Sequence, residues 1–203
     1  MTVYVMGESH TEVYDCFPRI ALVGTTMHRV GRDGVESVIN SSVSGATYPG
    51  TGDVLIVVVG EIDCRCHIYI QIHEKHREED EVIRDLAVRF INSLIEYRYK
   101  HNANIGVRGI VPPFRNAIHH DEKYPIRGTF DERVRWRQKL NAKLQLLCNN
   151  NDILFIPSPA WAENTDGSMN HDVCDDCIHI HNRYARRICE DLTLTIQYHQ
   201  FQR

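Results

Sequence analysis

The chain has 203 residues and a formal net charge of −4, which suits one domain, spanning 1–203, and leaves no basic footprint for nucleic acid. Its 42% hydrophobic and 25% charged residues are the proportions of an ordinary globular protein, and no apolar run approaches the roughly 20 residues of a membrane span. The N-terminal MTVYVMGES has no basic n-region and no long apolar run, so no secretory signal is expected; the odd count of seven cysteines then reads as reduced thiols in a cytoplasmic setting.

The first element is a short apolar strand, TVYVM (2–6), running into Gly7, Glu8, Ser9 and His10. A serine just past a strand and a glycine is either a helix N-cap or an activated nucleophile. RIALV (19–23) reads as a second strand, followed by Gly24-Thr25-Thr26-Met27-His28-Arg29 and a weak helical stretch over 29–41. DVLIVVV (53–59) is apolar throughout, as a strand buried on both faces of a parallel sheet must be. Behind it stands Gly60-Glu61-Ile62-Asp63-Cys64-Arg65-Cys66-His67. Apolar residues at three- and four-residue steps predict a helix over 78–99, with an acidic first turn that suits the helix dipole. NIGVRGIV (104–111) gives a fourth strand, 131–148 a second long helix and DILFIP (152–157) a fifth strand. A long loop then leads to Asp175-Asp176-Cys177-Ile178-His179. The last helix is expected over 181–192, and the alternating tail 192–201 reads as an edge strand.

Strands alternating with helices predict an α/β protein: three layers, α/β/α, around a mainly parallel five-stranded sheet of flavodoxin-like form. In such folds the site lies beyond the carboxyl ends of the strands. Here those ends collect the polar and titratable residues. Acyl transfer needs a nucleophile, a base, an acid to orient the base, and donors for the oxyanion. Ser9 fits the first role, His179 the second and Asp176, three residues before it, the third. Backbone amides at Ser9 and Gly24 fit the fourth, although Gly31 and Gly45 compete with Gly24.

These blocks resemble those of the SGNH, or GDSL-type, hydrolases. Gly7-Glu8-Ser9 stands where that family has Gly-Asp-Ser, Asp176-Cys177-Ile178-His179 where it has Asp-x-x-His, and Gly60-Glu61-Ile62-Asp63 where it has Gly-x-Asn-Asp. The likeness runs from the first strand to the last helix. It implies a serine esterase that forms an acyl-enzyme without cofactor or metal, acting on a small-molecule or glycan ester such as an O-acetyl sugar. An acyltransferase on sugar hydroxyls is the nearest variant. Ile62 departs from the pattern, because the asparagine it replaces donates to the oxyanion. Arg65 is expected to substitute, held by Asp63, with His67 as second choice; the alternative is an Asp63–Arg65 pair that only braces the loop. His28, Asp63 and His67 are candidate substrate contacts. Trp161 and Tyr124 either contact substrate or cover the core. The missing asparagine also leaves open a binding domain without activity. Finally, Cys64-x-Cys66-His67 and Cys174-x-x-Cys177-x-His179-x-His181 offer zinc-like ligands for an interaction domain.

Overall fold

The structure is a computed structural model and describes residues 1–43, 48–115, 122–174 and 178–201. Five strands form one sheet: β1 (Val3–Gly7), β2 (Arg19–Ala21), β3 (Val54–Val58), β4 (Asn104–Arg108) and β5 (Leu154–Ile156). Their order is β2-β1-β3-β4-β5, and every pairing is parallel. The central strand β3 is buried along its whole length, which accounts for its unbroken Val-Leu-Ile-Val-Val sequence.

One face of the sheet is covered by α1 (Met27–Asp33), α2 (Val35–Ser42), α3 (Glu79–His101) and α4 (Phe130–Asn150). Met6, Leu55, Val57, Ile105 and Val107 meet Phe90, Leu94, Trp136 and Leu140 there. The opposite face carries α5 (Ala185–Phe201) and short 3-10 turns; Val5, Ile56, Val58 and Ile156 meet Val13, Tyr14, Ile188 and Leu192. Alternate residues of each strand feed the two cores, the period-2 rule made visible. At Gly7 the backbone of β1 approaches β3 so closely that a Cβ would sit 1.9 Å from Val58 O, so no larger residue fits before the site.

Two expectations are corrected. The tail 192–201 is not an edge strand but the continuation of α5. Ile188, Leu192 and Ile196 recur at four-residue steps and are buried against the sheet, and this contact overrides the local alternation. The cysteines are also not all reduced, since Cys16 and Cys189 form a disulfide across 173 residues of sequence. That link depends on α5 packing beside the β1–β2 connection, which no local spacing reveals. Disulfides persist in oxidising surroundings, so the support that the odd count gave to a cytoplasmic setting falls away. Smaller differences are local. The 29–41 stretch starts earlier and breaks at Gly34 into α1 and α2, and the last helix begins at Ala185. No helix among the described residues is long and apolar enough to cross a membrane.

Candidate active site

Ser9 opens a 3-10 turn, Ser9–Val13, two residues beyond β1. Its side chain caps no backbone amide. Instead Ser9 Oγ lies 2.7 Å from His179 Nε2, a hydrogen bond between residues 170 apart in the chain. The loop carrying His179 is closed by an antiparallel bridge between Cys174 and Ile180 and by the His181 N–H donating to Val173 O at 2.7 Å. Ser9 is exposed and His179 half-buried. The His10 ring stands 4.6 Å from that of His179. Asp176, expected to orient His179, lies outside the described residues, as do Asp175, Cys177 and Gly45.

Gly24 follows β2 with φ of +63°, in the left-handed region that favours glycine. Its carbonyl accepts from Tyr124 Oη at 3.0 Å, and its N–H has no acceptor among the described residues. Gly31 sits inside α1, where a Cβ would meet the backbone of Arg89 and Phe90, so its glycine serves helix packing. Tyr124 is thus a brace for the Gly24 turn. Trp161 donates to Asp191 Oδ2 at 3.2 Å and lies under Arg187, on the α5 side.

The third block is rearranged. Asp63 is completely buried, and its carboxylate accepts from Met27 N at 2.6 Å and His28 N at 3.2 Å, capping α1. It therefore offers no surface to substrate, which corrects its reading as a substrate contact. Nor does it hold Arg65. The partner of Arg65 is Glu61, with Nε 3.1 Å from Oε1. The Asp63–His67 turn is a π-helix, a widened turn in which Asp63 meets the start of α1 and Glu61 meets Arg65. Arg65 faces a small cavity with Glu61, Phe114, Arg133, Arg137 and Ile178 that does not include Ser9. His67 Nδ1 is 3.4 Å from Asp63 Oδ1. His28 and His67 line a separate cavity of about 310 Å³, away from the Ser9–His179 pair. Burial lowers the pKa of His28.

Glu8 lies beneath this edge at 2% exposure, and its Oε1 accepts from Glu61 N at 3.2 Å. Burial first, then the neighbouring Glu61 and Asp63 carboxylates, push its pKa well above the usual range; burial likewise raises Glu61. Cys64 and Cys66 are buried, and burial raises both thiols. Among the described residues the one His/Cys/Asp/Glu group within metal-ligand reach is Asp15, Cys16 and Cys189, whose two sulfurs are already joined.

The Ser9–His179 pair opens into a cavity of about 90 Å³ that also includes His10, Tyr14, Val58, Arg108 and Val111. Sequence reading passed over Arg108. The available signal was an arginine closing an apolar strand, NIGVR, at the edge where such folds place their sites.

No family model and no curated protein sequence matches the chain. Solved structures do. The parallel 2-1-3-4-5 sheet between its helical layers is that of the SGNH-hydrolase fold, and this chain has that fold. A GDSL-like lipase from Bacteroides thetaiotaomicron is similar with a TM-score of 0.62 at 15% identity, over 97% of this chain and 87% of that one. An acetylxylan esterase from Geobacillus stearothermophilus gives 0.58 at 11% identity, over 96% and 93%, and the acetyl xylan esterase AlAXEase 0.58 at 11%, over 97% and 100%.

Proposed function

We propose that the protein is a serine esterase, an acyl hydrolase working through an acyl-enzyme on Ser9. The observation that carries this reading is the 2.7 Å contact between Ser9 Oγ and His179 Nε2 at the carboxyl edge of the sheet. With Nε2 unprotonated, Ser9 donates, and His179 takes the proton as Oγ attacks the ester carbonyl. The tetrahedral oxyanion is held by the backbone N–H groups of Ser9 and Gly24. His179 then protonates the departing alcohol. In the second half His179 draws a proton from water, hydroxide attacks the acyl carbonyl, and Ser9 leaves with its proton restored. Asp176, three residues before His179 in the sequence, is the carboxylate proposed to orient the imidazole. Arg65, buried and paired with Glu61, is not a direct donor to the oxyanion in this reading.

The substrate class is a carbohydrate or other small-molecule ester with a short acyl group. Its support is the modest size of the cavity, about 90 Å³, and the acetylxylan esterases that share the fold. Transfer to a sugar hydroxyl would use the same acyl-enzyme, with the hydroxyl replacing water. The test is a fluorophosphonate probe on the full chain. Ser9 is expected to be the labelled residue, with no labelling in Ser9→Ala and a large drop in His179→Ala. Equal labelling of either variant would remove the proposal.

A further inference from the structure

Arg108 closes β4, paired with Ile156 of β5. Strand alternation sends Ile105 and Val107 to the α3–α4 face and Arg108 to the α5 face, where Ser9 and His179 lie. It is 4% exposed. A buried guanidinium is ordinarily paired, because an isolated buried charge is costly. Arg137 follows that rule with a two-point contact to Glu163 at 2.7 and 2.9 Å, Arg133 donates to Gly128 O, and Arg65 has an ion-pair contact with Glu61, although its Nη1 makes no hydrogen bond among the described residues. The Arg108 guanidinium has no hydrogen bond or ion pair among the described residues. Tyr14 lies in the same cavity, and burial raises its pKa while the positive charge of Arg108 works to lower it. Among the described residues the one carboxylate in the cavity lining is Glu12, whose side chain is exposed at the rim.

A largely buried guanidinium that faces the cavity of the nucleophile without a partner among the described residues is placed to receive an anion. From this we infer that Arg108 binds a carboxylate carried by the substrate, so that the ester cleaved at Ser9 is an acidic one: an acylated acidic sugar or hydroxy acid, or a half-ester of a dicarboxylic acid. A cavity of about 90 Å³ admits a carboxylate with a few attached carbons. Arginine and carboxylate meet as a planar two-point pair, which fixes orientation as well as charge. The inference rests on the esterase reading, since it names that enzyme's substrate class.

Two measurements separate the failure of one from the failure of the other. The first needs no turnover: succinate and its uncharged diamide are titrated calorimetrically into Ser9→Ala protein. Succinate is expected to bind at least tenfold more tightly than the diamide. That margin should vanish in Ser9→Ala/Arg108→Met and in Ser9→Ala/Arg108→Gln, the second guarding against a packing fault in the first. The second compares kcat/KM for 4-nitrophenyl hemisuccinate against 4-nitrophenyl butyrate, and for 4-acetoxybenzoate against 4-acetoxybenzamide. A tenfold preference for the charged member of either pair, lost in Arg108→Met, supports the inference and assigns the carboxylate to the acyl or the alcohol side. Equal binding of succinate and diamide, or a preference that survives Arg108→Met, overturns it. Succinate binding through Arg108 in a protein whose serine ignores the fluorophosphonate would leave the carboxylate site standing and remove the esterase.

Discussion

The two faces of the sheet are held by different means. On the α3–α4 face the helices bury a broad apolar core and seal its rim with ion pairs: Glu79 contacts Arg135 and Lys139 at 2.8 Å each and accepts from Trp136 Nε1 at 3.0 Å. The start of α4 adds a complete capping box between Thr129 and Glu132. The α5 face has one long helix, several 3-10 turns, and a disulfide joining α5 to the segment that follows Ser9. Around Glu79 the polar groups of the first face satisfy one another. On the second face Ser9, His179 and Arg108 open into a cavity. Side chains that pair internally support the scaffold, whereas those facing a cavity remain available for a ligand. Chemistry is therefore sought on the α5 face and stability on the other.

The sharpest way to break this division is at the nucleophile. Ser9→Ala and His179→Ala should each lower kcat for a short-chain aryl ester by roughly three orders of magnitude or more. Both residues are at least partly exposed, so melting temperatures should stay within a few degrees. A variant that kept a tenth of its activity would move the chemistry away from this face.

The disulfide gives the next largest effect. Reduction, or Cys16→Ala/Cys189→Ala, should cost about 2–4 kcal/mol of stability, read by denaturant unfolding. On the α3–α4 face the thiols of Cys64, Cys66 and Cys148 are free, so among the described residues reductant has nothing to break there. An unchanged midpoint on reduction would show that α5 is held by its apolar contacts alone.

Those contacts also explain what was and was not legible in the sequence. The five strands and two long helices were readable because each is a local pattern: the apolar run of 53–59, the three- and four-residue steps of 78–99. That Ser9 and His179 meet was legible from the residues beyond the first strand and from the Asp-x-x-His block before the last helix. The last turns of α5 were not, because Thr193 and Thr195 alternate with Leu194 and Ile196 while the buried stripe runs in steps of four. Glu61 rather than Asp63 as the partner of Arg65 depends on a widened helical turn that residue types do not announce. Arg108 was hidden because an arginine in a strand reads as an edge residue until its burial is known.

Glu79 tests the scaffold face. Its bonds to Arg135, Lys139 and Trp136 hold its pKa down at about 2. A depressed carboxylate stabilises the fold above its ordinary pKa and loses that contribution as pH falls toward 2. Glu79→Ala also leaves the Nε1–H of the fully buried Trp136 without its acceptor. The expected cost is about 1–3 kcal/mol at neutral pH, shrinking as the solution is acidified. A cost that did not change between pH 7 and pH 3 would deny the charge its role.

Glu8 should show the opposite sign. It lies on the site side, buried against Glu61 and Asp63, and its pKa is raised above the ordinary carboxylate value. A raised carboxyl binds its proton more tightly in the folded state. Its contribution is therefore fully present below the unfolded pKa and is lost as pH rises through the folded one. Glu8→Gln keeps the shape and leaves a carbonyl oxygen to accept from Glu61 N, but it removes the charge. At pH 4 the variant and the parent should melt together. At pH 8 the variant should be the more stable by about 1 kcal/mol, or roughly 2–4 °C in a chain of this length. Arg65 works against this outcome, since its positive charge favours the ionised form of Glu8. A variant less stable than the parent at pH 8 would mean that this attraction outweighs burial and the two neighbouring carboxylates. The polar cluster under Ser9 would then be a satisfied network like the one around Glu79, and the contrast between the faces would narrow to Ser9, His179 and Arg108.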